Sequence, residues 1–157
     1  MSGEGVHRER QQVIWWVHLI VAIVLVGGIL SMLGTVGDTR HPLLILALIA
    51  MVALIYGLLN PMTVVVGDEQ MEVRFGQIGW PRWRFDLEQI EQARVVEFSP
   101  LVDYGGWGIR MRGGKLCFNQ RGDTGVQFVH ASREYVVGSD DPERLLDALK
   151  ARGVATT

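Results

Sequence analysis

Cys117 and His130 are the one plausible thiol–imidazole pair in this chain. Nucleophilic catalysis requires the two in contact and a third group orienting the imidazole. Along strands, Cys117 takes the opposite sense to Leu116 and Phe118, while His130 shares that of Val126 and Phe128, so pattern alone does not join them. His7, His18, His41 and His130 are scattered and lack metal-ligand spacing. The reading is therefore of no catalytic residue, no metal site and no cofactor. Gly105-Gly106-Trp107-Gly108 lacks the Lys and Ser/Thr of a phosphate loop. Its glycines read as close strand approach, with Trp107 filling the core. The strongest interaction candidate is Trp80-Pro81-Arg82-Trp83-Arg84. Aromatics interleaved with arginines suit a nucleic-acid strand, a membrane interface or an acidic peptide. Alternation offers a plainer alternative, with one tryptophan in the core and the arginines in solvent. Arg110 alternates away from the core face and completes the candidate surface Trp80, Arg82, Trp83, Arg84 and Arg110.

The elements that must position these residues fall into two unlike parts. Residues 13–33 and 43–59 contain no Asp, Glu, Lys or Arg. At 1.5 Å per residue they reach about 31 and 26 Å, against a hydrocarbon core of about 30 Å. Backbone groups in lipid must be satisfied internally, so the reading is a transmembrane helical hairpin. A cleaved signal peptide fits poorly, because the first run exceeds the usual apolar stretch and no small-residue cleavage site follows. Arg8 and Arg10 precede the hairpin and Arg74, Arg82 and Arg84 follow it, whereas the connection offers Arg40 offset by Asp38. The charge bias predicts an inner-membrane, multi-pass protein with both termini cytoplasmic. Trp15, Trp16 and Tyr56 would then lie at one interface, with His18 a turn further in as an interfacial imidazole. Gly27 with Ser31 and Ala53 with Gly57 form small-xxx-small pairs suited to close helix approach. Two helices without buried charge argue against a channel or transporter.

Residues 60–157 hold 12 Lys+Arg and 14 Asp+Glu, a formal charge of −2, and have the length for one modest core. That balance argues against nucleic-acid binding and against a polybasic lipid patch. One cysteine excludes an internal disulfide and fits a reducing compartment. Asn60-Pro61 ends the second helix. Residues 62–66 are apolar; Met71, Val73 and Phe75 then alternate with Glu72 and Arg74, and Trp83 and Phe85 with Arg82 and Arg84. Further strands are read at 93–98, at 107–111, at Leu116 with Phe118, at Val126 with Phe128 and at Tyr135 with Val137, separated by Gly113-Gly114 and Gly122-Asp123. The period changes at the end: Asp141 suits an N-cap, Pro142 the first helical position, and Leu145, Leu146 and Leu149 an apolar stripe.

The Val66-Gly67-Asp68-Glu69 and Val73-Arg74-Phe75-Gly76 hairpin, the stretch from Tyr104 through Trp107 to Arg110, and the stretch from Val137 to Leu145 resemble bacterial membrane proteins with two N-terminal helices and a pleckstrin-homology-like (PH-like) domain. The resemblance covers about residues 10–153. It implies a membrane α-helical hairpin plus an α+β PH-like domain, an antiparallel β roll of about seven strands closed by a C-terminal α-helix. The division is 1–12 as a cytoplasmic N-terminal segment, 13–59 as the hairpin and 60–157 as the PH-like domain. The family carries no common reaction. Phosphoinositide-binding members cradle phosphates with basic residues in the first hairpin loop; here that loop is Gly67-Asp68-Glu69-Gln70, whose carboxylates repel an anionic headgroup at that place.

The function expected from these features is a membrane-anchored interaction module, an adaptor or self-assembling scaffold with no catalytic site of its own. An accessory or regulatory subunit of a larger membrane enzyme or transporter is the alternative. The partners expected are the lipid bilayer and a protein partner or homo-oligomer, with no nucleic acid and no phosphoinositide.

Overall fold

The structure, a computed structural model, describes residues 6–13, 15–34 and 41–157, with the side chains at 15–16, 32–34 and 41–44 left out. The interface expectation on Trp15 and Trp16 and the loop charges Asp38 and Arg40 lie outside the described residues. A first strand, β1 (His7–Gln11), leads into two helices, α1 (Trp15–Gly34) and α2 (His41–Leu59). Three strands follow: β2 (Met62–Val66), β3 (Gln70–Phe75) and β4 (Arg82–Asp86). The second half comprises β5 (Ile90–Glu97), α3 (Pro100–Tyr104), β6 (Gly108–Arg112), β7 (Lys115–Asn119), β8 (Thr124–His130), β9 (Arg133–Gly138) and α4 (Pro142–Lys150).

The strands form two sheets, one ordered β1-β2-β3-β4 and one ordered β5-β8-β9-β7-β6. Their inner faces make one core. Val64, Val73, Phe75 and Phe85 of the first sheet meet Phe118, Val126, Phe128 and Val137 of the second. Phe118 is the centre of an aromatic cluster with ring centroids 4.7 Å from Trp83, 6.2 Å from Phe75 and 6.3 Å from Phe85. α4 packs on β5 and β8 through Leu145, Leu146 and Leu149, all buried. Its start is fixed by the Asp141 carboxylate, which accepts from the Arg144 N–H, with Pro142 in the first turn.

This architecture corrects the expected fold. In place of one antiparallel roll of about seven strands there are two sheets, and β7 and β9 run parallel. The physical reason is that two of the four pairings in the second sheet, β5 with β8 and β7 with β9, join strands that are not consecutive in sequence, so turn signals between successive strands do not report them.

The membrane reading is corrected as well. Among the described residues no helix is long and apolar enough to cross a membrane. The transmembrane hairpin over 13–33 and 43–59 and the inner-membrane, multi-pass location with cytoplasmic termini are thereby overturned.

The two helices pair with each other instead. The His18 and Tyr56 rings meet edge-on at 5.5 Å, joining the start of α1 to the end of α2. Further along they approach closely at Gly28, where a Cβ would lie 2.6 Å from Ile49 Cδ1, whereas Gly27 and Gly57 have open space. The small-xxx-small glycines are therefore not where the helices touch. Buried polar groups tie the pair to the strands. Asn60 Oδ1 accepts from the Val13 N–H at 3.1 Å, and Gln120 Nε2 donates to the Leu59 carbonyl at 2.9 Å. The β3–β4 turn also abuts α2: a Cβ on Gly76 (φ 74°) would sit 2.6 Å from the Leu58 carbonyl oxygen, a place only glycine fits.

Candidate functional site

The segment 80–84 is split between two environments by strand alternation. Trp83 points inward against Phe75 and Phe118. Trp80, before the strand, is 59% exposed, and Ile78 in the same turn is exposed as well. Arg82 and Arg84 lie on the outer face of β4. The plainer alternative read from the sequence, one tryptophan in the core and arginines outward, is what β4 does. Arg110 belongs to the other sheet. It is exposed on β6 and its guanidinium lies over Gly106, where a Cβ would be 3.5 Å from Nη2.

The cross-strand register shows what Arg82 and Arg84 stand beside. One row across the first sheet reads Arg10, Thr63, Arg74, Arg82. The next reads Arg8, Val65, Glu72, Arg84, and beyond it Gln70 faces Asp86. Residues in register share a face, so this outer surface carries five arginines against two carboxylates, a net of +3. The whole chain is −2, which leaves −5 elsewhere. Glu72 takes two of the five: Arg84 Nε donates to its Oε1 at 2.6 Å and Arg74 Nε to its Oε2 at 2.5 Å. Burial on its own raises the Glu72 carboxyl, but the hydrogen bonds from Arg74 and Arg84 outweigh it and hold the group below its ordinary value. Among the described residues Arg8, Arg10 and Arg82 have no carboxylate partner. Arg8, Arg10 and Arg74 line a cleft of about 260 Å³ closed by the β3–β4 turn at Gly76 and Gly79.

A second, larger cleft of about 640 Å³ lies between β1 and α4. Its carboxylates are held by neighbours, whereas His7 Nε2 and Arg152 Nε and Nη2 are buried without a hydrogen-bond partner. Glu9 accepts from the Ser139 hydroxyl at 2.6 Å and the Asp140 N–H at 2.7 Å, and Asp140 pairs with Arg121. Arg152, with 8% of its side chain exposed, donates to the Ala148 carbonyl and stands 4.0 Å from Asp68. Burial lowers the nearby His7 imidazole below its ordinary value, against the opposing pull of Glu9.

The thiol and imidazole singled out from the sequence are not brought together. Cys117 is in register with Val136 and Gln127, on the face opposite Phe118 and Phe128, whereas the His130 ring packs 5.4 Å from Phe85 on the core side. Burial pushes the Cys117 thiol up to about 12, the signature of an unreactive side chain. Trp107 is half-buried outside the core cluster, so the expectation that it fills the core is corrected; Gly105 ends α3 in the left-handed conformation instead. Among the described residues no group of three or more His, Cys, Asp or Glu is placed to hold a metal ion.

One arrangement escapes sequence reasoning. Arg8 and Arg10 bear on charge bias in the sequence, and only the pairing of β1 with β2 puts them beside Arg74. The available signal is alternation within the polar run His7-Arg8-Glu9-Arg10-Gln11. Comparison of the chain with known protein families, with curated proteins and with solved structures finds no significant match.

Proposed function

We propose that this chain is an interaction module, a self-assembling scaffold without a catalytic site of its own, and that α1 and α2 are its assembly surface. The observation that carries this reading is the distribution of large apolar side chains. Leu19, Ile20, Ile23, Val26, Ile29 and Leu30 of α1 and Leu46, Leu48, Met51, Leu54 and Ile55 of α2 are each about half exposed or more. A monomer rarely leaves so extensive an apolar patch uncovered, because each such side chain gains about 1.5–3 kcal/mol on full burial. Copies packed hairpin to hairpin would remove it from water. The strand edges of β4 and β6 offer a second route by which a chain could add to the fold.

The test is the mass and composition of the full-length protein purified without harsh detergent. A discrete homo-oligomer supports the scaffold reading. A stoichiometric foreign chain would replace it with the accessory-subunit alternative. A monomer whose apolar surface is covered by detergent alone would overturn both.

A further inference from the structure

We propose that the arginine row of the first sheet binds a phosphate-class dianion, a phosphomonoester or phosphate itself, seated over Thr63 between Arg10 and Arg74. The argument begins with strand spacing. Thr63 on β2 lies between Arg10 on β1 and Arg74 on β3, so the two arginine backbones stand about 10 Å apart. At that separation two long side chains are able to reach one group above the middle strand, with Arg74 turning from Glu72, and the threonine hydroxyl offers a donor. Arg8, two residues along β1 on the same face, supplies the third guanidinium of the cleft.

Charge selects the ligand. Arg74 shares Glu72, but Arg8 and Arg10 have no carboxylate among the described residues, so two positive charges of the cleft are left without a counter-charge. A dianion matches that surplus, and guanidinium forks fit its several oxygens. The cleft, about 260 Å³, has room for a headgroup-sized anion. It is also polarised. The acidic residues Asp68 and Glu69 occupy the β2–β3 turn at the opposite end of the sheet, so the positive end is the one beside Gly76 and Gly79. This site is distinct from the acidic first hairpin loop, and it does not depend on the assembly of α1 and α2.

The experiment is calorimetric titration of the full chain with inorganic phosphate, with acetate at equal ionic strength as the monoanion control. A parallel arm measures co-sedimentation with phosphatidylcholine vesicles containing phosphatidic acid, whose headgroup is a phosphomonoester. Saturable phosphate binding that weakens about tenfold or more in Arg10→Gln, recovers in part in Arg10→Lys and is unchanged in Arg110→Gln supports a site for soluble phosphate compounds. Vesicle binding with the same dependence on Arg10, and no binding of free phosphate, supports the same chemistry carried by a lipid. Binding unaffected by Arg10→Gln, matched by acetate, or absent in both arms overturns the proposal. Because Arg10 sits on an edge strand, thermal unfolding of each variant separates lost binding from lost fold. Arg82→Gln, which keeps β1 intact and lies outside the cleft, should weaken phosphate binding less than Arg10→Gln.

Discussion

The helical pair and the two sheets are built from the same kinds of apolar residue and dispose of them in opposite ways. In the sheets Val64, Val73, Phe75, Phe118 and Phe128 are fully buried, each facing a residue on the other layer. On α1 and α2, Leu19, Ile23, Leu30 and Leu54 stand in the open although their side chains are as apolar. The difference lies in the period of the elements. A strand shows alternate side chains to one face, so a second layer buries the apolar half completely. A helix that is apolar all round shows only a stripe to a single neighbour, and the remainder needs another surface. The sheets are complete as one chain; the helices are complete only with something beside them.

That contrast breaks most readily at Phe118 and Leu54. Phe118→Ala should cost about 3–5 kcal/mol in chemical unfolding, the usual range for a large aromatic removed from a core. Leu54→Asn should change stability by no more than about 0.5 kcal/mol while lowering the mass of the assembly. Equal losses from both would mean that the helices belong to the same cooperative core as the sheets. A smaller effect is expected at the helix that does find its partner within the chain. Removing the α4 cap with Asp141→Ala should lower stability by about 1 kcal/mol, seen as a shift in the thermal midpoint. The smallest effect is electrostatic. Glu72 titrates below its ordinary value of 4.5 in the folded chain. Its contribution is therefore in place above that pH and is lost as pH falls through the depressed folded value. Glu72→Gln should flatten the acid limb of the stability profile below about pH 4.5, lowering stability slightly at neutral pH and leaving it unchanged in acid.

The sequence disclosed the parts whose information is local. Charge-free apolar runs mark α1 and α2, alternation at Met71, Val73 and Phe75 orients β3, and Asp141-Pro142 opens α4. What it concealed depends on which strands become neighbours. β1 has five polar residues and no apolar face, so nothing in its own composition marks it as a strand. Its place in the first sheet, the parallel pairing of β7 with β9 and the row Arg10, Thr63, Arg74, Arg82 are all long-range facts. The candidate surface was legible in part for the same reason. Arg82 and Arg84 could be seen to face outward, but the positive company they keep comes from β1 and β3. A net charge of −2 hid a face of +3, because composition sums over surfaces that the fold keeps apart.

The pairing of β1 with β2 has a consequence for how the molecule assembles itself. Gln11 meets Met62 and His7 meets Val66, contacts separated by 51 and 59 positions, with both helices forming the loop between them. Closing so long a loop costs more entropy than joining β2, β3 and β4, which are linked by short turns. β1 is accordingly the strand that docks last and departs first. Arg8 and Arg10 travel with it, so the arginine row is complete only in the fully folded chain, and its presence reports on the final step of folding rather than on the collapse that precedes it.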